Sequence, residues 1–109
     1  MAFSEELANR IRKALEHLPV KEKKMFGSLT FLINGKMCLT AGPSRMMCRI
    51  DPKLHEQEVK KDGCSTVIMK GRKYKGYIHI KEENLKNETN FNYWIDLALG
   101  FNKQLISKK

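Results

Sequence analysis

Three histidines and three cysteines are the residues of this 109-residue sequence best suited to act as bases, nucleophiles or metal ligands. Their spacing points away from all three roles. His17 closes an amphipathic run, His55 falls in a short polar stretch, and His79 alternates with Ile78 and Ile80, which turns it to the opposite face of a strand. No His-Glu-x-x-His, Cys-x-x-Cys or glycine-rich phosphate loop occurs. Catalysis needs a nucleophile beside a base, paired carboxylates or a metal cluster, so the expectation is a protein with no catalytic residues, metal or cofactor. Cys38 and Cys48 would face each other across a three-residue loop, where two thiols pair, bind a metal or serve as small buried apolar groups; the last is the commoner use. With Cys64 the cysteine count is odd, which suits reduced thiols in a cytoplasmic protein better than a disulfide framework.

A more specific chemistry lies in residues 70–81. Lys70, Arg72, Lys73, Lys75 and Lys81 occur there without an acid, interleaved with Tyr74 and Tyr77. Cations neutralise phosphates while aromatic rings stack on bases, so the composition suits nucleic acid. With no RNA- or DNA-binding motif present, it suits better a solvated turn whose lysines protect a sheet edge. Lys70, Arg72, Lys73, Tyr74, Lys75 and Lys81 are the candidate contacts for an anionic partner.

The elements that must position these residues follow from the pattern. Ser4-Glu5-Glu6 caps a helix whose Leu7, Ile11, Leu15 and Leu18 share one face, and Pro19 ends it. Lys21-Glu-Lys-Lys24 reads as a solvated connector. Strands are predicted over Phe26–Ile33, Lys36–Ala41 and Arg45–Ile50, joined at Asn34-Gly35 and at Gly42-Pro-Ser44. Asp51-Pro52 opens a short, mostly exposed helix that Gly63 ends. Two more strands, Ser65–Lys70 and Tyr77–Lys81, flank a glycine-bracketed connection from Gly71 to Gly76. After a polar loop, Glu82–Asn90, a last helix runs from about Phe91 towards Leu105, with Trp94, Leu97, Ala98 and Phe101 on its apolar stripe. The order α-β-β-β-α-β-β-α predicts one two-layer α+β domain over residues 1–109, an antiparallel five-stranded sheet with helices packed on it.

Bulk properties agree. A 12.7 kDa chain with 41% hydrophobic residues and mean hydropathy -0.50 holds one core, and no apolar run is long enough to cross a bilayer. Carboxylates at Glu5 and Glu6 stand where a signal peptide has its apolar segment. The formal net charge is +9, of which residues 1–50 hold +5, residues 51–81 hold +4 and residues 82–109 none. An uneven positive excess of this kind fits an anionic partner, or solubility alone.

Three stretches also carry a family likeness. Met25-Phe26-Gly27-Ser-Leu-Thr-Phe-Leu-Ile-Asn34-Gly35-Lys36-Met37-Cys38 resembles the signature hairpin of the TfoX/Sxy N-terminal domain, with Ser28 in place of a second glycine. Gly71-Arg-Lys-Tyr-Lys-Gly76 is similar to that family's Gly-Arg-Pro-Met-Lys-Gly strand pair, with Lys73-Tyr74 for Pro-Met. Tyr93-Trp94-Ile-Asp-Leu-Ala-Leu99 resembles its closing helix. The resemblance implies a compact α+β fold of the secretion-chaperone-like type, a role tied to natural competence and transcription, a structural part for these motif residues and no established catalytic residues. Full-length competence regulators add a helical C-terminal domain that these 109 residues do not include. The expected function is therefore a non-enzymatic cytoplasmic regulatory or adaptor domain acting through protein contacts, as a monomer or weak homodimer without a membrane partner. Direct nucleic-acid binding through the Lys70–Lys81 strand pair is the alternative, and thiol redox chemistry at Cys38 and Cys48 a third.

Overall fold

A computed structural model describes residues 3–25 and 27–107. Helix α1 spans Glu5–Ala14: the Ser4 hydroxyl accepts the Leu7 N–H at 3.2 Å, and Glu5 and Glu6 occupy the positive end of the helix dipole. Ser4 also donates its own N–H to the Gly42 carbonyl and its hydroxyl to Glu82, so the start of α1 is bonded to two distant turns.

The charged run expected as a connector is instead strand β1, Val20–Met25, antiparallel to β2, Ser28–Ile33. Lysine and glutamate are poor strand formers, so propensity hides it. The hydrogen-bond ladder to β2 decides the matter, and charged side chains suit an outermost strand. Glu22 is gripped by Arg12 of α1 at 2.7 and 3.0 Å. The sheet thus has six strands, one more than the pattern predicts. Phe26 and the side chain of Met25 lie outside the described residues.

Asn34 (φ 53) and Gly35 (φ 80) make the expected two-residue turn into β3, Lys36–Ala41. Phe31 pairs with Leu39 and Leu32 with Met37, which leaves Cys38 as the extra residue of a β-bulge. The bulge turns Cys38 and Leu39 both inward, and both are buried. Strand β4, Arg45–Arg49, follows with Leu39, not Cys38, opposite Cys48. The two thiols are therefore not cross-strand partners. Asp51 accepts the Lys53 N–H at 2.9 Å and starts a turn over Pro52–Leu54 that runs into α2, His55–Glu58. This segment is mostly exposed, as its pattern predicts, but His55 and Glu58 are each only 3% exposed.

Strand β5, Cys64–Met69, reaches β6, Arg72–Lys81, through a tight turn at Lys70 (φ 51) and Gly71 (φ 77). The predicted connection Gly71–Gly76 is thus a two-residue turn followed by strand. A turn over Glu82–Leu85 and helix α3, Glu88–Ser107, replace much of the predicted polar loop. Asn87 sets the helix start, its side chain accepting the Asn90 N–H at 3.2 Å.

The strand order is β1-β2-β3-β4-β6-β5. One face carries the core: Leu7, Ile11 and Leu15 from the N-terminal helical segment and Phe91, Trp94, Ile95 and Ala98 from α3 pack on Leu29, Phe31, Leu39, Met46, Cys48, Ile78 and Ile80. On the other face a single row of directly opposed residues crosses all six strands, Lys23–Thr30–Thr40–Met47–His79–Ser65. Thr30 and Thr40 hydrogen-bond to each other at its centre, 3.3 Å apart. The outer strands differ in kind: β1 holds four charged residues in succession, whereas β5 holds none.

Candidate interaction surface

The β5–β6 hairpin projects most of the predicted contacts. Lys70, Arg72, Lys73 and Lys75 are all exposed at its tip or along the first half of β6. Ile68 lies directly across from Lys73 and is 58% exposed, the exposed large hydrophobic side chain among the described residues. Cations and an apolar side chain therefore share one end of the sheet. Lys81 does not belong to this group. It ends the same ten-residue strand, roughly 30 Å from Arg72 at the usual rise per residue, and sits opposite Arg45.

The two tyrosines pack on each other and are both half-buried. Tyr74 and Tyr77 meet edge to face with centroids 6.1 Å apart and planes at 77°. The Arg49 guanidinium lies 5.5 Å from the Tyr77 ring and 5.7 Å from that of Phe101. Between the rings the ladder is interrupted: Thr66 pairs with Ile78 but Val67 with Tyr74, so Lys75, Gly76 and Tyr77 bulge from the register.

His55 occupies that interruption. Its Nδ1 accepts the Gly76 N–H at 2.8 Å and its Nε2 lies 2.9 Å from the Thr66 hydroxyl. An Nδ1 that accepts cannot carry a proton, so the ring is the neutral tautomer protonated at Nε2. Burial lowers its proton affinity, Glu56 raises it somewhat, and Lys75 lowers it further. Glu58, on the same turn, receives the Tyr93 hydroxyl at 2.8 Å and Lys61 at 3.3 Å. Burial opposes its ionisation, but hydrogen bonds from Tyr93, Gln57 and Lys61 outweigh it and hold the carboxyl below its ordinary range. These groups bind α2 to β6 and α3. Nothing in their spacing reveals it in the sequence.

All three cysteines are free thiols. Burial pushes Cys38 up to about 12, Cys64 up to about 11 and the fully enclosed Cys48 well above the ordinary range, which disfavours the thiolate form. Cys48 contacts the Trp94 carbonyl at 4.0 Å. Trp94 is 1% exposed, and Tyr93 meets its ring edge to face at 5.5 Å. Of the remaining motif residues, Asn34, Gly35 and Gly71 are turn residues, Lys36 and Met37 open β3, and Gly27 (φ 77) lies between β1 and β2. Among the described residues no three His, Cys, Asp or Glu side chains are placed to share a metal ion, and no helix is long and apolar enough to cross a membrane.

An antiparallel sheet with its helices on one face and a cationic hairpin at one end defines a small two-layer α+β domain built around an exposed strand pair. The family model described as the TfoX N-terminal domain matches residues 5–102, nearly the whole chain, and the chain belongs to that family. No curated protein and no solved structure matches it.

Proposed function

We propose that the chain is a non-enzymatic, cytoplasmic regulatory domain of the competence-regulator kind that binds an acidic protein partner through the tip of the β5–β6 hairpin. The observation that carries this reading is the joint exposure of Ile68 with Lys70, Arg72, Lys73 and Lys75. Apolar area beside charge of one sign is the composition of a protein contact with an acidic surface. Part of the tyrosine ring surface is taken up by the edge-to-face contact of Tyr74 with Tyr77 and by Arg49 over Tyr77, which supports protein over nucleic acid. Family membership supports the regulatory role. The structural engagement of both His55 nitrogens and the protonated thiols support a non-catalytic one.

The test is capture from cytoplasmic extract, with and without nuclease, by the wild type and by the triple reversal R72E/K73E/K75E. A protein retained after nuclease and lost from the triple variant, with the melting temperature nearly unchanged, is the expected result. Capture abolished by nuclease, with a log–log salt slope of about −0.9 for each duplex phosphate neutralised, assigns the hairpin to nucleic acid. Capture indifferent to the reversal removes the hairpin from function altogether.

A further inference from the structure

The helix-free face holds a second cationic feature, remote from the hairpin tip. Arg45 and Lys81 are directly opposed across β4 and β6, an arrangement in which like charges repel. Neither has an ion-pair partner within 4.0 Å among the described residues. Two residues along the same face, His79 stands next to them, opposite Met47 on β4 and Ser65 on β5. Its Nδ1 is buried without a hydrogen-bond partner. Arg45, Lys81, His79 and Ser65 line one cavity of about 530 Å³, together with Ser44 and Glu83. Repelling cations, an unsatisfied imidazole nitrogen and a hydroxyl thus share one hollow with a single carboxylate, Glu83, which makes no ion pair with either cation among the described residues.

The structure assigns to this hollow a binding site for a tetrahedral oxyanion, a phosphate or its monoester, held by Arg45 and Lys81 with His79 and Ser65 beside it. Arginine supplies forked donors and lysine a point charge, the pair that phosphate sites combine. The charge environment of His79 changes when the anion arrives. In the unliganded protein burial first, and Arg45 second, push its imidazole down to about 4, so it is neutral near pH 7. The other titratable groups around the cavity are Lys81 on its own strand, Cys64 on β5 and Glu83 beyond β6. An oxyanion between Arg45 and Lys81 cancels the repulsion and favours the imidazolium.

Sulfate stays dianionic across the titration range of His79 and is the first probe, with chloride at matched ionic strength as control. The His79 ring resonances, followed by NMR through a pH titration, are expected to show a midpoint raised by roughly one unit or more in sulfate. Inorganic phosphate near pH 8 is expected to raise the melting temperature in a saturable way. R45Q/K81Q should abolish both responses. Because that variant removes a like-charge pair, it should melt no lower than the wild type, so its silence cannot come from unfolding. A His79 midpoint indifferent to sulfate, or a response that survives R45Q/K81Q, overturns the assignment. Blocked phosphoserine in place of phosphate tells the sources apart: tighter binding marks a phosphorylated side chain, and equal binding marks the free anion. The hairpin variant R72E/K73E/K75E should retain both anion responses, so this site and the partner-binding hairpin stand or fall separately.

Discussion

The Nδ1 of His55 accepts the backbone N–H of Gly76 at 2.8 Å, joining a four-residue helix to the middle of the longest strand. The bond sits where β6 leaves the register of β5, and it satisfies a buried donor that the interrupted ladder leaves over. His55→Phe keeps a ring but strands that N–H. A loss of about 1–3 kcal/mol is expected, the usual cost of an unsatisfied buried group, read from a denaturant midpoint at constant slope.

Acid should weaken the fold through the same ring and through His79. Both imidazoles bind protons less readily in the folded chain than their ordinary 6.5, His79 at about 4. The unfolded chain therefore takes up more protons, and stability falls as pH drops from about 6.5 towards about 4. Above that window both rings are neutral in either state and contribute no slope. Denaturation midpoints measured across the window should fall with pH for the wild type and fall less for His79→Gln.

Gly76 and Gly35 both need positive φ, yet they should respond differently to alanine. A Cβ on Gly35 meets nothing within 4 Å, so Gly35→Ala carries only the left-handed backbone cost of about 1–2 kcal/mol. A Cβ on Gly76 comes within 3.1 Å of the Ile50 carbonyl oxygen and 3.2 Å of the Pro52 ring. Gly76→Ala should cost more, and equal midpoints for the two variants would show that this crowding relaxes.

Tyr93→Phe removes the hydroxyl that donates to the buried Glu58 and accepts from Lys61 at 3.0 Å. A hydrogen bond to a charged group contributes roughly 1.5–3 kcal/mol, and that loss is expected at neutral pH. The Glu58 carboxyl should also titrate higher in the variant, because burial then meets less opposition. Carbon-detected NMR of the carboxyl reads both states.

Trp94→Ala should cost roughly 3–5 kcal/mol, the range for deleting a large buried aromatic. A loss below about 1 kcal/mol would place Trp94 outside the core and contradict its 1% exposure.

Periodicity and turn chemistry make much of this fold legible in the sequence. Asn34-Gly35, the Ser4 cap and the stripe through Trp94 are local signals, and each lies where its pattern puts it. What stayed hidden depends on neighbours distant in sequence. Lys21-Glu-Lys-Lys24 is a strand because β2 offers it a ladder, which no propensity of its own announces. Arg72–Lys75 looked like a loop because two glycines bracket it, although only Gly71 turns the chain while Gly76 marks a bulge. His55 and Glu58 looked exposed because polar residues surround them in sequence. Their partners Gly76, Thr66 and Tyr93 lie 11 to 35 residues away. The candidate contacts at the hairpin were legible as composition. The separation of Lys81 from them was not, since it rests on one long strand where the pattern suggested a short one.

The unequal edges of the sheet limit how copies of this chain can join. Pairing through β1 would bring Lys21, Lys23 and Lys24 of two copies against one another, which their repulsion resists. Pairing of two uncharged β5 edges meets no such barrier. Of the two pairings of like edges that the sheet allows, the one through β5 is therefore the less opposed by charge.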